Sequence, residues 1–156
     1  MQKENNMRTK ERYKTKSAVF VMFIYDDKVL CQKRQNTGFM DGFYDMGASG
    51  HVEEGETLTQ AAKREVKEEL NIDIDKERLK LVTTIHHKSE DEVYYYFYFS
   101  YILHAQDEYD FSINEPEKNE KLIWLNMSQL PEDVTVYNRQ AVDNYYRHIP
   151  LSELGF

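Results

Sequence analysis

The segment from Thr57 to Leu70 constrains the fold more than any other part of the sequence. Apolar residues recur along it every four positions: Leu58, Ala62, Val66 and Leu70. At 3.6 residues per turn these side chains form one apolar stripe on a helix, and such a stripe has to be buried against another element. Asn71 follows directly and predicts a left-handed helix end. The segment therefore predicts a helix that lies on a core.

The rest of the chain predicts a β-sheet. Apolar and alternating runs indicate strands at residues 18–25, 29–34, 79–87, 93–103 and 121–125. Asp26-Asp27 indicates a tight turn between the first two strands, and residues 36–42 indicate a loop. The strand at 93–103 is aromatic on both faces, which places it in the sheet centre. With a second helix at 136–148, the order predicts an α/β fold, a sheet covered by helices on its faces.

The length of 156 residues fits one compact domain. Residues 1–16 are polar and lack apolar periodicity, so we expect a flexible N-terminal arm there. A single domain is expected at residues 17–150, followed by a short C-terminal tail at 151–156.

The charge balance limits the choice of partners. There are 20 Lys plus Arg against 28 Asp plus Glu, a net charge of -8, which disfavours long nucleic acids and anionic membranes. A small phosphate compound stays compatible if a divalent metal supplies positive charge. Cys31 is the single cysteine, and the longest apolar run, at residues 18–25, is too short to span a membrane. We therefore expect a cytoplasmic protein.

Three carboxylates share one arc of the predicted helix at 57–70: Glu65, Glu68 and Glu69. Like charges three and four residues apart repel, and the helix dipole adds to the cost near its C-terminal half. A magnesium ion would relieve both effects, since it prefers oxygen ligands and keeps water and substrate phosphate in its shell. Charged helix faces are usually solvated surface, however, and that interpretation is favoured while the three residues are considered alone.

The surrounding motif favours the metal site over the solvated helix face. Gly50-His51-Val52-Glu53-Glu54-Gly55-Glu56 is followed, after seven residues, by Arg64-Glu65-Val66-Lys67-Glu68-Glu69-Leu70-Asn71-Ile72. This string closely resembles the Nudix box of the Nudix hydrolase family. It departs from that pattern at Asn71, which stands where the last glycine is expected. Asn is the usual substitute for Gly at a left-handed helix cap, so no metal-binding position is affected.

The resemblance implies a Nudix-like α/β/α sandwich with a mixed β-sheet and the Nudix loop-helix. It also implies hydrolysis of a nucleoside diphosphate linked to another moiety, by water attack on phosphorus with Mg²⁺ bound, and Mn²⁺ as a substitute. Glu65, Glu68 and Glu69 match the metal-binding positions, and Arg64 matches a residue that orients the glutamate beside it. Gly50 matches the position beside the metal-facing backbone, and Glu56 matches a supporting residue that holds loop and helix together.

Two assignments stay open at this level. The general base is either Glu65 or an acid from a later loop, for which Glu117 and Glu120 are candidates, although solvated surface acids would explain both. Base recognition usually needs an aromatic platform, and a role in the core is the alternative for each aromatic candidate. The aromatic candidates are Phe39, Phe43, Tyr44 and Trp124.

Three functions are compatible with the motif. The first is a hydrolase of nucleoside triphosphates, including damaged ones, or of nucleotide sugars, acting as a monomer or homodimer. The second is a nucleotide-sensing domain that binds its ligand without hydrolysis. The third is an isoprenyl diphosphate isomerase, but Cys31 lies far before the motif and gives it no support.

Overall fold

The computed structural model describes residues 10–156. Residues 1–9 of the predicted arm lie outside that range, and residues 11–15 have no regular secondary structure. The strands are β1 (Lys16–Tyr25), β2 (Lys28–Arg34), β3 (Tyr44–Met46), β4 (Ala48–His51), β5 (Lys80–Ser89), β6 (Glu92–Ile102), β7 (Asn119–Asn126) and β8 (Leu151–Leu154). The α-helices in this range are α1 (Leu58–Leu70) and α2 (Val136–Arg147), and Lys76–Arg78 forms a 3-10 turn.

One mixed sheet contains all eight strands. Its order is β3-β2-β1-β6-β5-β8, with β4 paired to β1 and β7 paired to β2. The β1–β6 and β5–β8 pairs are parallel, and the other pairs are antiparallel. The aromatic strand β6 lies between β1 and β5, which confirms its predicted place inside the sheet.

The sheet divides along β1. Near its C-terminal end β1 pairs with β2, at Ile24↔Val29 and Tyr25↔Lys28. Nearer its N-terminal end the same edge of β1 pairs instead with β4, from Ala18↔His51 to Val21↔Ala48. Strand β2 has therefore moved away from β1 where β4 begins, and an opening forms between them.

Two apolar clusters lie on opposite faces of the sheet because side chains alternate along β1. Val19, Val21 and Phe23 pack with the buried stripe of α1, whereas Phe20 and Met22 pack with α2. The helices thus cover both faces, which confirms the predicted α/β/α sandwich. Within residues 10–156, neither helix is long and apolar enough to cross a membrane.

The local turn chemistry agrees with the sequence. Asp26 and Asp27 both have positive φ, 50° and 59°, as the two central residues of a tight right-twisting hairpin require. Thr57 caps α1 by accepting a hydrogen bond from the Gln60 N–H, and Asn71 ends the helix at φ 57° and ψ 36°.

The structure differs from the sequence prediction at the C-terminus. Residues 151–156 were expected to be a tail, but Leu151–Leu154 is strand β8, paired with β5 from Thr84↔Leu151 to His87↔Leu154. A four-residue strand is too short to show a period, and its partner lies more than 60 positions away in the sequence. Strands β3 and β4 are not predicted either, because they too are too short to show a period.

Candidate active site

Helix α1 holds the three predicted carboxylates beside β4. Ala61, Ala62, Val66 and Leu70 are buried against the sheet, and this anchoring fixes the rotation of the helix. Glu65 and Glu69 then lie on the side of α1 that faces β4, and Glu68 lies further out. The helical period therefore places the apolar stripe against the sheet and the carboxylates beside β4.

Glu69 is the most enclosed of the three. Its Oε2 accepts a hydrogen bond of 2.8 Å from the Ser49 N–H, and its Oε1 accepts one of 3.3 Å from Gln32 Nε2. Burial raises the pKa of Glu69 well above its usual value, and the charge of Glu65 raises it further. The Gln32 side-chain oxygen beside it is buried and has no hydrogen-bond partner in residues 10–156. Both hydrogen bonds to Glu69 therefore come from neutral groups.

Glu65 lies directly over Gly50. A Cβ added at Gly50 would overlap the Glu65 carboxylate, so only glycine leaves room for that group. Burial also raises the pKa of Glu65, although Arg64 acts in the opposite direction. The Gly50 backbone and the Glu65 carboxylate are therefore in close contact, as the binding of one ligand by both groups requires.

Arg64 connects the helix to the loop before it. Its Nε and Nη2 donate to Glu56 at 2.7 and 3.0 Å, and Nη1 donates to Glu65 at 2.8 Å and Glu68 at 3.2 Å. Nη2 also donates to the His51 carbonyl at 3.0 Å. Hydrogen bonds from Arg64 and from the Glu53 N–H lower the pKa of Glu56. Glu56 thus holds loop and helix together through Arg64.

A cavity of about 750 Å³ opens beside these residues, where the sheet divides. Six acidic side chains line it: Asp45, Glu65, Glu68, Glu69, Glu92 and Glu115. The volume falls within the usual range of about 300–1,000 Å³ for small-molecule sites. Aromatic residues, among them Phe20, Tyr96 and Tyr137, also line the cavity.

The donor set fits a divalent cation. Carboxylate oxygens are the ligands that Mg²⁺ prefers, and two of these carboxylates have a raised pKa that a cation would lower. Within residues 10–156, no three His, Cys, Asp or Glu side chains are placed to hold one metal ion. Arg64 Nη1 donates to both Glu65 and Glu68.

The loop before β7 also contributes an acid to the cavity. Neither Glu117 nor Glu120 is among the residues that line the cavity. Glu120 pairs with Lys33 at 3.7 Å on the surface, and the Glu117 carbonyl accepts a hydrogen bond from Asn36. Glu115 lines the cavity instead. Its position follows from Asn114, whose Nδ2 and N–H donate to the Glu68 and Glu69 carbonyls at 2.8 and 2.9 Å.

The aromatic candidates lie mostly elsewhere. Phe39 lines the cavity, but Phe43, Tyr44 and Trp124 do not. Tyr44 is buried in the core on the α2 side of the sheet. Trp124 packs edge-on against Phe111 at 6.2 Å, and Phe43 is partly exposed in the loop before β3. Side chains alternate between the two faces of the sheet along β3 and β7, so the strand register decides which face each aromatic ring points to. The sequence alone does not determine that register.

Asp45 is a cavity residue that the sequence analysis missed. It is 2% exposed and accepts hydrogen bonds from Arg34 Nη1 at 3.0 Å, Ser49 Oγ at 3.2 Å and Asn138 Nδ2 at 2.7 Å. It therefore links β2, β4 and α2 beneath the site. A charged residue between Tyr44 and Met46, both apolar and buried, was the available signal.

Comparisons with known proteins agree with this geometry. The NUDIX domain family model matches residues 14–145. Dihydroneopterin triphosphate diphosphatase of Escherichia coli K12 is 41% identical over 68 residues, and the protein of that name from Shigella flexneri matches equally. That alignment covers 42% of this chain and 42% of the relative.

Solved structures show the same fold. The MutT NUDIX hydrolase of Burkholderia pseudomallei superposes with a TM-score of 0.74 at 22% identity, over 85% of this chain and 98% of that one. The MutT protein of Methanosarcina mazei superposes with a TM-score of 0.73 at 16% identity, over 89% and 98%.

Proposed function

The chain belongs to the Nudix family, and from this premise we propose that it is a Mg²⁺-dependent pyrophosphohydrolase. It cleaves the diphosphate bond of a nucleoside diphosphate linked to another group, such as a nucleoside triphosphate or a nucleotide sugar. Mn²⁺ is expected to replace Mg²⁺. The buried free thiol of Cys31 is compatible with the cytoplasmic location that we propose.

The strongest support for this proposal is the enclosed pair Glu65 and Glu69, which line the cavity. Charging a buried carboxylate with a raised pKa costs stability, and proteins keep such groups where function needs their charge. Glu69 is held by two hydrogen bonds in one orientation, and Gly50 leaves room for Glu65. Arrangements of this kind are typical of functional sites, where stability is given up for chemistry.

Glu65, Glu68 and Glu69 are the residues that would hold the metal. A bound magnesium ion supplies charge stabilisation for the phosphoryl oxygens and lowers the pKa of water. Arg64 orients Glu65 and Glu68 through Nη1, and Glu56 holds Arg64 in turn.

The base that takes the proton of the attacking water is Glu65 or Glu115, since both line the cavity. Attack of water on phosphorus forms a P–O bond and breaks the bridging P–O bond. The products are two phosphate-bearing groups.

A substrate panel tests the reaction class. Nucleoside triphosphates, dinucleoside polyphosphates, nucleotide sugars and ADP-ribose are incubated with the protein and Mg²⁺, and the products are identified by chromatography. Dihydroneopterin triphosphate joins the panel because the name of the Escherichia coli relative contains it. Release of a monophosphate or diphosphate product is expected for at least one class. Binding without turnover in every class would instead favour the nucleotide-sensing alternative.

Glu69→Gln tests the metal-binding wall. The substitution keeps the shape and the hydrogen bond from Ser49 but removes the negative charge, so turnover should fall about 100-fold or more. The matched control is Glu120→Gln, which changes an exposed glutamate outside the cavity and should leave turnover within about 2-fold. Turnover of Glu69→Gln close to that of the control would contradict the proposal.

A further inference from the structure

A buried carboxylate that the proposed reaction does not use lies beneath the site. Asp45 is the central residue of β3 and is 2% exposed. Its Oδ1 accepts hydrogen bonds from the Met46 N–H at 2.8 Å and from Asn138 Nδ2 at 2.7 Å. Its Oδ2 accepts hydrogen bonds from Arg34 Nη1 at 3.0 Å and from Ser49 Oγ at 3.2 Å. Each oxygen already has two donors, so Asp45 serves the site through its neighbours and not as a metal ligand.

Ser49 is the neighbour that connects Asp45 to the opening in the sheet. In the antiparallel pair of β4 with β1, Ser49 lies opposite Phe20. The Val52 N–H donates to the Ser17 carbonyl at 3.0 Å, so that pair is hydrogen-bonded. Hydrogen-bonded and non-hydrogen-bonded pairs alternate along an antiparallel ladder, and Ser49, three residues before Val52, therefore belongs to a non-hydrogen-bonded pair. Its N–H points away from β1, into the opening that β2 leaves.

The two polar groups of Ser49 bind residues from different layers of the fold. Its N–H donates to Glu69 Oε2 of α1 at 2.8 Å. Its hydroxyl donates to Asp45, which is bonded in turn to Asn138 of α2. Asn138 is fully buried and accepts a hydrogen bond of 2.7 Å from the Tyr98 hydroxyl. A continuous chain of hydrogen bonds therefore runs from β6 and α2, through Asp45 and Ser49, to the most enclosed carboxylate of α1.

The charge of Asp45 is unfavourable for Glu69. After burial and the charge of Glu65, the charge of Asp45 is a further cause that raises the pKa of Glu69. The ion pair with Arg34 Nη1 at 3.0 Å compensates only part of the cost of burying Asp45. A neutral residue at position 45 would avoid both effects. The hydrogen bond that Asp45 accepts from Ser49 gives a reason for a carboxylate at this position.

We propose that Asp45 is a positioning residue, which orients Glu69 for metal binding by holding the hydroxyl of Ser49. Because the hydroxyl and the N–H belong to one residue, holding the hydroxyl fixes the direction of the N–H and of the carboxylate oxygen bound to it. Groups that hold a metal ligand in one orientation typically change metal affinity about 10- to 100-fold when they are removed. The inference rests on the proposed function, because it takes Glu69 as a metal ligand.

Ser49→Ala is the main test, because it removes the hydroxyl and leaves the backbone N–H and every charge in place. Mn²⁺ affinity, measured by electron paramagnetic resonance, should fall about 10-fold. Ser49→Thr keeps a hydroxyl and should retain an affinity close to that of the unmodified protein. Ser128→Ala is the matched control, since it removes a hydroxyl that donates to Asn126 Oδ1 at 2.7 Å outside the cavity. Equal Mn²⁺ affinity in Ser49→Ala and the control would overturn the inference.

A second substitution tests whether Asp45 acts through Ser49. Asp45→Asn keeps the shape of the side chain but removes its charge and one of its two acceptors. Ser49→Ala should lower Mn²⁺ affinity about 10-fold in the unmodified protein but less than about 2-fold in the Asp45→Asn background, because residues that act as a unit are not additive. Equal losses in the two backgrounds would overturn the inference, since Ser49 would then act without Asp45.

Two further readouts separate positioning from folding. For a substrate that the panel identifies, Ser49→Ala should raise the Mg²⁺ concentration for half-maximal turnover about 10-fold and leave KM at saturating Mg²⁺ within about 2-fold. In the metal-free protein, Asp45→Asn should speed hydrogen exchange of the Ser49 N–H and leave that of the Val52 N–H unchanged. Faster exchange at both positions would indicate a general loss of structure and overturn the positioning role.

The outcomes distinguish this inference from the proposed function. Independent effects of Asp45 and Ser49, in a protein that hydrolyses a member of the panel, would overturn the inference alone. Coupled losses of Mn²⁺ affinity, in a protein that hydrolyses no member of the panel, would support the inference and overturn the proposed hydrolysis.

Discussion

At the scale of single residues, the candidate site depends on close approach as much as on charge. Gly50 is the clearest case, because the carboxylate of Glu65 occupies the space where a side chain at position 50 would begin. Gly42 is different: its φ is +84° and nothing lies near its missing side chain, so it is needed for backbone conformation. The two glycines therefore serve different purposes and should respond differently to substitution.

Gly50→Ala should move the Glu65 carboxylate and weaken Mn²⁺ binding about 10-fold or more, with a matching loss of turnover. Mn²⁺ affinity is measured by electron paramagnetic resonance, and stability by thermal unfolding. Gly42→Ala is the control. It should lower the free energy of unfolding by about 1 kcal/mol through backbone strain and leave Mn²⁺ affinity unchanged. Equal Mn²⁺ affinity in the two variants would show that Glu65 does not need the space at Gly50.

At the scale of secondary-structure elements, the C-terminal end of α1 is fastened by the segment that carries Glu115. The Asn114 side chain and N–H donate to the carbonyls of Glu68 and Glu69, two of the groups that a helix end leaves unsatisfied. Asn71 completes the end in the left-handed conformation. The helix with the carboxylates and the loop with the further acid are thereby joined.

Asn114→Ala should lower the free energy of unfolding by about 1 kcal/mol, because one hydrogen bond is lost, and should speed hydrogen exchange in the last turn of α1. Turnover should fall, since Glu68, Glu69 and Glu115 lose their common support. Asn71→Gly is the comparison at the same helix end. Glycine adopts the left-handed conformation readily, so stability and turnover should stay near those of the unmodified protein. An unaltered exchange rate in Asn114→Ala would contradict the fastening role.

Sequence patterns within single segments predicted much of this architecture. The four-residue repeat located α1 to within one residue, and Asn71 has the left-handed conformation that the sequence indicated. Strands β1, β2, β5, β6 and β7 lie within about two residues of the predicted ranges.

What failed depends on contacts between distant residues. Strands β3, β4 and β8 are too short to have a period, and the position of Glu115 at the cavity depends on the contact between Asn114 and the end of α1. The partners of Asp45 come from three separate elements, so its role could not be derived from neighbouring residues.

At the scale of the whole molecule, the buried carboxylates link stability to pH. Burial raises the pKa of Glu65 and Glu69, so the folded protein holds more protons than the unfolded chain between the ordinary pKa of about 4.3 and the raised values. The free energy of unfolding therefore falls as pH rises through that window. Two kinds of group give the opposite slope: Asp107, whose pKa hydrogen bonds from Arg78 lower to about 2, below about pH 4, and His87, whose pKa burial lowers, below about pH 6.5.

Thermal unfolding between pH 5.5 and 8.5 tests this linkage. With EDTA, the Tm of the unmodified protein should fall with rising pH relative to that of Glu69→Gln, and Glu69→Gln should have the higher Tm at pH 8.5. Mg²⁺ binds the deprotonated carboxylates, so it should raise Tm more at pH 8.5 than at pH 5.5. Glu120→Gln, at an exposed position, should leave the slope unchanged. A slope identical in Glu69→Gln and the unmodified protein would rule out Glu69 as its source.

The division of the sheet along β1 has a consequence for how such a protein can be altered in the laboratory. One continuous stretch, residues 48–70, provides Glu65, Glu68, Glu69 and the Gly50 backbone, whereas the aromatic residues of the cavity lie on β1, β6, α2 and the loop after β2. A mutant library confined to Phe39, Tyr94 and Tyr96 would vary the aromatic lining and leave the carboxylates of residues 48–70 in place. Directed evolution toward new substrates should begin at Phe39, which is exposed and lines the cavity.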